Sequence, residues 1–124
     1  MKNYLLLLIV LACLGCMPAN QLNRLYFGMN KPAGGAVSEH EFNQFLQQEI
    51  SPRFPKGLTL FAAKGQWQGA KGTVEQENSR VVEIVCDDTA ENRDKVATIA
   101  AKYKALFGQE AVVVITSRPE IVFH

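Results

Sequence analysis

The sequence predicts a single α+β domain that follows a short apolar leader. Two stretches place apolar residues at helical spacing, and four other stretches are rich in β-branched and aromatic residues. These stretches follow one another as strand, helix, strand, strand, helix and strand. The chain has 124 residues, so about 100 residues remain for one core that can fold without disulfides.

The first half of the domain contains one strand and one helix. The stretch "RLYFGM", residues 24–29, alternates and predicts the first strand. Ser38 and Glu41 have the spacing of a capping box, which predicts a helix start, and Pro52 ends that helix. The apolar face of the helix comprises Phe42, Phe45, Leu46 and Ile50.

The second half begins with two strands joined by a hairpin. Residues 58–67 and 79–86 have strand composition, and the polar, glycine-containing stretch 68–78 is predicted as an exposed loop. Thr89 then caps a second helix, and Gly108 lies where a left-handed C-terminal cap is expected.

The last strand is predicted at residues 111–116, "AVVVIT", and a short fifth strand at residues 120–124. The continuous apolar run predicts a central strand covered on both faces. The order β-α-β-β-α-β is that of the ferredoxin-like arrangement, an antiparallel sheet with two helices on one face.

The N-terminus has the pattern of a secretory signal. Lys2 precedes nine apolar residues, 4–12, whereas a membrane-spanning helix needs about 20. The run ends in cysteine, which resembles the lipobox of bacterial lipoproteins. We therefore predict a signal peptide at residues 1–12, a lipidated tether at 13–23 and the folded domain at 24–124.

Two cysteines compete as the acylated residue. Cys13 follows Val10-Leu11-Ala12 and is preferred, while Cys16 follows Gly15 and is the alternative. Because the next residue is Leu14 or Met17 and not aspartate, the resemblance to lipoproteins implies a palmitate-bearing outer-membrane lipoprotein that faces the periplasm.

Composition argues against several partners. The chain has 13 Lys+Arg and 12 Asp+Glu, and no basic cluster, so nucleic-acid binding is not expected. Neither His40 nor His124 has a second ligand at helical spacing, so no metal site is predicted. No cofactor motif is present, and no cofactor is predicted.

Strand alternation predicts an apolar sheet face away from the helices, with Arg24, Tyr26 and Glu83 as the most enzyme-like cluster. A homodimer that stacks these faces, a ligand pocket, or coverage by other segments of the chain each account for such a face. Trp67, Glu77 and Phe61 are candidate ligand-facing residues. Packing of Trp67 over the hairpin is the competing interpretation.

Several segments together identify a family. The stretches "LYFGM", "PRFPKGLTL", "GQW", "ENSRVVEIV" and "YKALFGQEAVVV" resemble the bacterial domain-of-unknown-function family 3574 over nearly the whole domain. The resemblance implies secreted or lipid-anchored proteins and implies no activity. The sequence thus favours a lipid-anchored binding module that self-associates through its open face. The alternative is a small cofactor-independent enzyme of the dimeric α+β-barrel type that acts on an unidentified small hydrophobic substrate.

Overall fold

The computed structural model describes residues 18–124. The signal peptide, Cys13 and Cys16 lie outside these residues. The described elements are β1 (Asn20–Gly28), α1 (Glu39–Phe45), a π-helical turn (Leu46–Ile50), β2 (Thr59–Gln68), β3 (Val74–Asp87), α2 (Ala90–Phe107) and β4 (Val113–Ser117). The strands pair antiparallel in the order β2-β3-β1-β4. The predicted ferredoxin-like fold is confirmed.

Local sequence signals set the helix boundaries. Ser38 accepts the N–H of Glu41, and the Glu41 carboxylate accepts the N–H of Ser38, so the capping box is complete. At the start of α2 the Thr89 hydroxyl accepts the N–H of Asn92, and Gly108 closes the C-terminus at a φ of 67°. Both predicted helix starts are therefore found where the sequence placed them.

The π-helical turn explains how the first helix keeps one apolar face. Ser51 N–H donates to the Leu46 carbonyl, five residues back, at 2.9 Å. Phe45 and Ile50 are five residues apart and both buried. The five-residue turn brings Ile50 round to the side of Phe45, so both side chains reach the core.

The core lies between the helices and one face of the sheet. Tyr103 of α2 stands at its centre, with ring centroids 4.7 Å from Phe27 and 5.2 Å from Phe45. Leu25 and Phe27 on β1 and Val82 and Ile84 on β3 face it from the sheet, and all four are fully buried. The predicted orientation of these two strands is therefore correct.

Three predictions about the strands are wrong. The stretch predicted as a central strand at 111–116 instead forms β4 (Val113–Ser117), an edge strand whose residues are all exposed. Within residues 18–124 it pairs with β1 alone. Residues 120–124 form no strand. Most of the predicted loop 68–78 is strand, because β2 and β3 pair as far as Gln68 and Val74.

The extra length of the hairpin produces a projecting two-stranded ribbon, residues 64–78, which we call the hairpin arm. The partner strand β1 ends at Gly28, opposite Ser79, so the arm has no third strand beside it. The strand β1 also starts at Asn20 and not at Arg24, so part of the predicted tether is paired with β3.

Candidate functional site: the open sheet face and the cleft at its edge

The sheet presents one face away from the helices, and we call it the open face. Directly paired residues of an antiparallel sheet lie on the same face, so the strand register defines its members. They are Leu22, Arg24, Tyr26, Gly28, Thr59, Phe61, Ala63, Ser79, Val81, Glu83, Val85, Val113, Ile115 and Ser117.

The open face carries exposed apolar side chains. Phe61 is 44% exposed, Val113 57% and Ile115 47%. Val81, on the central strand between Tyr26 and Phe61, is buried although no helix covers it. Val81 therefore forms a small apolar cluster with Tyr26 and Phe61 within a single copy of the chain.

An ion pair lies within this apolar surface. Arg24 Nε donates to Glu83 Oε1 across the two central strands. The Glu83 hydrogen bond, followed by its charge, raises the pKa of Arg24. The sequence hypothesis placed Tyr26 between both charges as a tuned acid or base. In the structure Arg24 bonds Glu83 directly, and Tyr26 lies half-buried opposite Val81.

Glu77, a candidate ligand-facing residue, is held by the backbone. Its carboxylate accepts the N–H of Asn30 and fills the space where a side chain at Gly28 would begin. Burial raises the pKa of Glu77, and the Asn30 hydrogen bond opposes that shift. Glu77 therefore ties the hairpin arm to the end of β1.

Trp67 lies near the tip of the hairpin arm. It pairs with Glu75 and is 44% exposed, with the same strand parity as Phe61. The structure thus places Trp67 and Phe61 on one side of β2, six residues apart, which is about 20 Å along a strand. His40 is exposed at the start of α1. Residues 18–124 hold no group of three or more side chains suited to a metal ion.

A cleft of about 750 Å³ opens at the outer edge of β3, where β2 has not yet begun. Glu83, Val85 and Cys86 line it from the strand, and Arg53 and Phe54 line it from the loop before β2. Glu83 is the one member of the Arg24, Tyr26 and Glu83 cluster that borders it.

The sequence reasoning missed a polar cluster beneath this cleft. Gln21 and Asn23 are almost fully buried on the helix side of β1, and their amides point at the Cys86 thiol at 3.7 and 3.5 Å. Thr116 donates to Asn23 Oδ1 at 2.8 Å. Burial raises the pKa of Cys86, and the hydrogen bonds from Gln21 and Asn23 oppose that shift. The sequence did contain a signal for this cluster. Gln21, Asn23 and Leu25 are spaced two residues apart, so in a strand their side chains lie on the same face.

Among residues 18–124, no helix is both long and apolar enough to cross a membrane.

Comparison with known proteins identifies a family and a fold. The family model described as "Protein of unknown function (DUF3574)" matches residues 22–123. No curated protein matches the chain.

The solved structures that resemble the chain are distant in sequence. A phage SAM lyase in complex with S-methyl-5′-thioadenosine has a TM-score of 0.63 at 18% identity, with 82% of each chain covered. The periplasmic divalent cation tolerance protein CutA from Archaeoglobus fulgidus has a TM-score of 0.55 at 10% identity, with 84% of this chain and 87% of that chain covered. A de novo designed protein, Foldit4, has a TM-score of 0.52 at 14% identity, with 82% and 99% covered. At these identities the likeness concerns the fold alone.

Proposed function

Since the chain belongs to DUF3574, a family of unknown function, we propose its role from its surface: a lipid-anchored binding module of the periplasm that self-associates through the open face. One observation supports this proposal most. The open face keeps Phe61, Val113 and Ile115 exposed around the ion pair of Arg24 and Glu83. A contiguous apolar patch of this kind is typical of an interaction surface.

The ion pair favours a second copy of the chain as the partner. Arg24 and Glu83 lie on the two central strands. If two copies stack their open faces around a two-fold axis, Arg24 of each copy would lie opposite Glu83 of the other. An apolar partner would instead desolvate both charges without offering any in return, which is costly.

The area of the face sets a further requirement. Four strands at about 4.8 Å spacing and six residues at about 3.4 Å give a projected area of about 400 Å². A stable interface buries about 800 Å² per partner. The hairpin arm, two strands wide and five residues long, adds about 170 Å² of projected area. It carries Trp67 on the same side of β2 as Phe61, so we expect the arm to take part in the contact.

Light scattering coupled to size exclusion tests the proposal on a soluble form that begins at Pro18. We expect twice the monomer mass at high concentration and dissociation on dilution. Phe61→Glu should give a monomer, because a charge would then be buried in the apolar interface. Leu106→Glu is the matched control, since Leu106 is 63% exposed on α2, away from the open face. A wild type that is monomeric at every concentration would exclude self-association.

The anchor rests on the leader sequence. We propose that Cys13, or alternatively Cys16, carries the lipid and holds the domain at the outer membrane on its periplasmic side. Mass spectrometry of the acylated N-terminal peptide would distinguish the two residues. Cys13→Ser should abolish acylation if Cys13 is the site, whereas Cys16→Ser should leave it unchanged. A full-length protein that keeps residues 1–12 and carries no lipid would refute the anchor.

A cofactor-independent enzyme of the dimeric α+β-barrel type is the second candidate. The cleft favours it, because Glu83 borders both the cleft and the open face. The ligand named with the phage SAM lyase, S-methyl-5′-thioadenosine, is a reasonable first probe. Saturable binding that is lost in Glu83→Gln would support an active site at this position. Turnover of any substrate that is unaffected by Glu83→Gln would place the chemistry elsewhere.

A further inference from the structure

We propose that the cleft at the outer edge of β3 binds a small organic anion that carries a planar apolar group. This site shares only a border with the self-association surface, at Thr59, Glu83 and Val85, and its ligand binding does not depend on the oligomeric state. The proposal combines three observations: unpaired backbone donors on β3, an excess of cationic side chains, and two aromatic residues among the lining.

The hydrogen-bond parity of β3 identifies the backbone donors. Met29 N–H donates to the Asn78 carbonyl, so the even-numbered residues of β3 direct their backbone groups towards β1 and the odd-numbered residues towards β2. The first residue of β2 is Thr59, opposite Glu83. Val85 and Asp87 therefore direct their backbone groups to a side where β2 offers no partner.

One backbone group on this edge of β3 already has hydrogen-bond partners within the chain. The Asp87 carbonyl accepts Thr89 N–H at 2.9 Å and Asn92 Nδ2 at 2.9 Å. The N–H groups of Val85 and Asp87 have no β2 partner, so they are available as donors to a ligand in the cleft. Two N–H groups on one strand edge, about 7 Å apart, are suited to separate acceptor oxygens of one anionic ligand.

Cationic side chains surround these donors. Arg53, Lys56 and Lys95 line the cleft. Arg53 Nη1 donates to the Glu49 carbonyl and to its carboxylate at 2.6 and 2.7 Å, which fixes the guanidinium. Glu49 also pairs with Lys102, so one carboxylate is shared between two cations and Arg53 is only partly neutralised.

The cleft lining carries three cationic residues against two acidic ones, an excess of one positive charge. Lys95 pairs with Glu91 at 2.7 Å on the helix surface, and Lys56 has no ion pair with any of residues 18–124. Of the two acidic residues in the lining, Glu83 is paired with Arg24 and only Asp87 has no cationic partner among the described residues. An anion is therefore the favoured charge class.

The apolar part of the ligand follows from the other lining residues. Phe54 is buried beside the cleft, whereas Phe123 is 79% exposed at its border. Aromatic side chains of this kind bind planar groups by stacking or edge contact. The volume of about 750 Å³ lies within the usual range for a small-molecule site. An extended peptide suits it less well, because only two residues of β3 offer unpaired groups.

A titration with naphthyl phosphate tests the proposal, followed by two-dimensional NMR of the backbone amides. We expect saturable shifts at Val85 and Asp87. Naphthol, which has the ring without the charge, and inorganic phosphate, which has the charge without the ring, should each bind at least about tenfold more weakly. Equal binding of naphthol and naphthyl phosphate would overturn the anionic class, and unshifted amides at Val85 and Asp87 would overturn the site.

Matched variants separate the site from nonspecific attraction. Lys56→Ala should weaken naphthyl phosphate binding about threefold to fivefold, since one exposed charge is removed. Phe123→Ala should weaken it to a similar degree. Lys64→Ala removes a lysine outside the cleft and should have no effect. Equal weakening by Lys56→Ala and Lys64→Ala would show that net charge alone attracts the probe and would refute the proposal.

Discussion

The hydroxyl of Tyr103 completes the end of β1 that extends past Val113 of β4. Even-numbered residues of β1 direct their backbone groups towards β4, and that pairing stops at Tyr26 and Val113. The Gly28 carbonyl therefore lies beyond the end of β4, and Tyr103 Oη donates to it at 2.8 Å. Tyr103 itself is fully buried.

Tyr103→Phe removes this bond without disturbing the ring contacts. A typical hydrogen bond contributes about 1 kcal/mol net, and an unsatisfied buried acceptor costs about 1–3 kcal/mol. We expect the free energy of unfolding to fall by about 2 kcal/mol, equivalent to a fall in Tm of about 8–15 °C for a domain of this size. Urea unfolding followed by circular dichroism measures the change in the form that begins at Pro18.

The control is Tyr26→Phe on the open face, where Tyr26 is only half-buried; it should change the free energy of unfolding by less than about 0.5 kcal/mol. A second signature is the dependence on pH. Burial, aided by the charge of Glu77, raises the pKa of Tyr103. The unfolded tyrosine ionises near pH 10, so the stability linked to Tyr103 is complete below that pH and is lost above it.

Above pH 10 the wild type should lose about 1.4 kcal/mol per pH unit through Tyr103, a loss that Tyr103→Phe does not show. The difference in stability between the two proteins should therefore shrink as the solution becomes alkaline. A Tyr103→Phe protein as stable as the wild type at neutral pH would refute the role assigned to the hydroxyl.

Four other predictions follow from the described contacts. Ser38→Ala should lower the free energy of unfolding by about 1 kcal/mol. The hydrogen bond from the Ser38 backbone N–H, followed by the one from Lys31, lowers the pKa of Glu41 to about 2. The stabilisation that ionised Glu41 gives to the fold should therefore be present above pH 4.5 and be lost as the pH falls towards 2. Acid titration of Glu41→Gln should not show this loss. Gly28→Ala should displace the Glu77 carboxylate and cost about 1 kcal/mol, and a double-mutant cycle with Glu77→Ala that gives simple additivity would contradict this coupling. The Cys86 thiol, its pKa raised by burial, should react with iodoacetamide more slowly at pH 8 than free cysteine, as followed by mass spectrometry, and equal rates would show that it is accessible.

Local signals in the sequence were sufficient for the helices and for the faces of the two central strands. The capping box at Ser38, the cap at Thr89 and the glycine at 108 act within a few residues, so a reader of the sequence can recognise them. The alternation of β1 likewise places Leu25 and Phe27 in the core. These features need no knowledge of distant contacts.

The errors concern features that depend on distant parts of the chain. The apolar run of β4 favours a buried strand, but its position is set by pairing with β1, about 90 residues earlier in the chain. No other strand of residues 18–124 pairs with its outer edge. The polar residues of the hairpin arm resemble a loop, yet continuous pairing with the facing strand makes them β. The sequence analysis assigned Gln21 and Asn23 to the tether because their side chains are polar, although strand alternation places them on the same face as Leu25.

For the same reason, the sequence predicted only part of the candidate site. Strand parity placed Arg24, Glu83 and Phe61 on one face, and the register confirms that placement. The cleft requires the loop before β2, the end of β3 and Phe123 to meet. These segments are far apart in the sequence and carry no shared motif.

The two sides of the sheet differ in what their apolar residues do for the fold. On the helix side, Leu25, Val82 and Ile84 are fully buried, and each supplies burial that stabilises the single domain. On the open face, Val113 and Ile115 stay about half exposed, so about half of their favourable transfer free energy is not used in folding. That free energy is available to an intermolecular contact, and polar substitutions there should weaken association more than they lower stability.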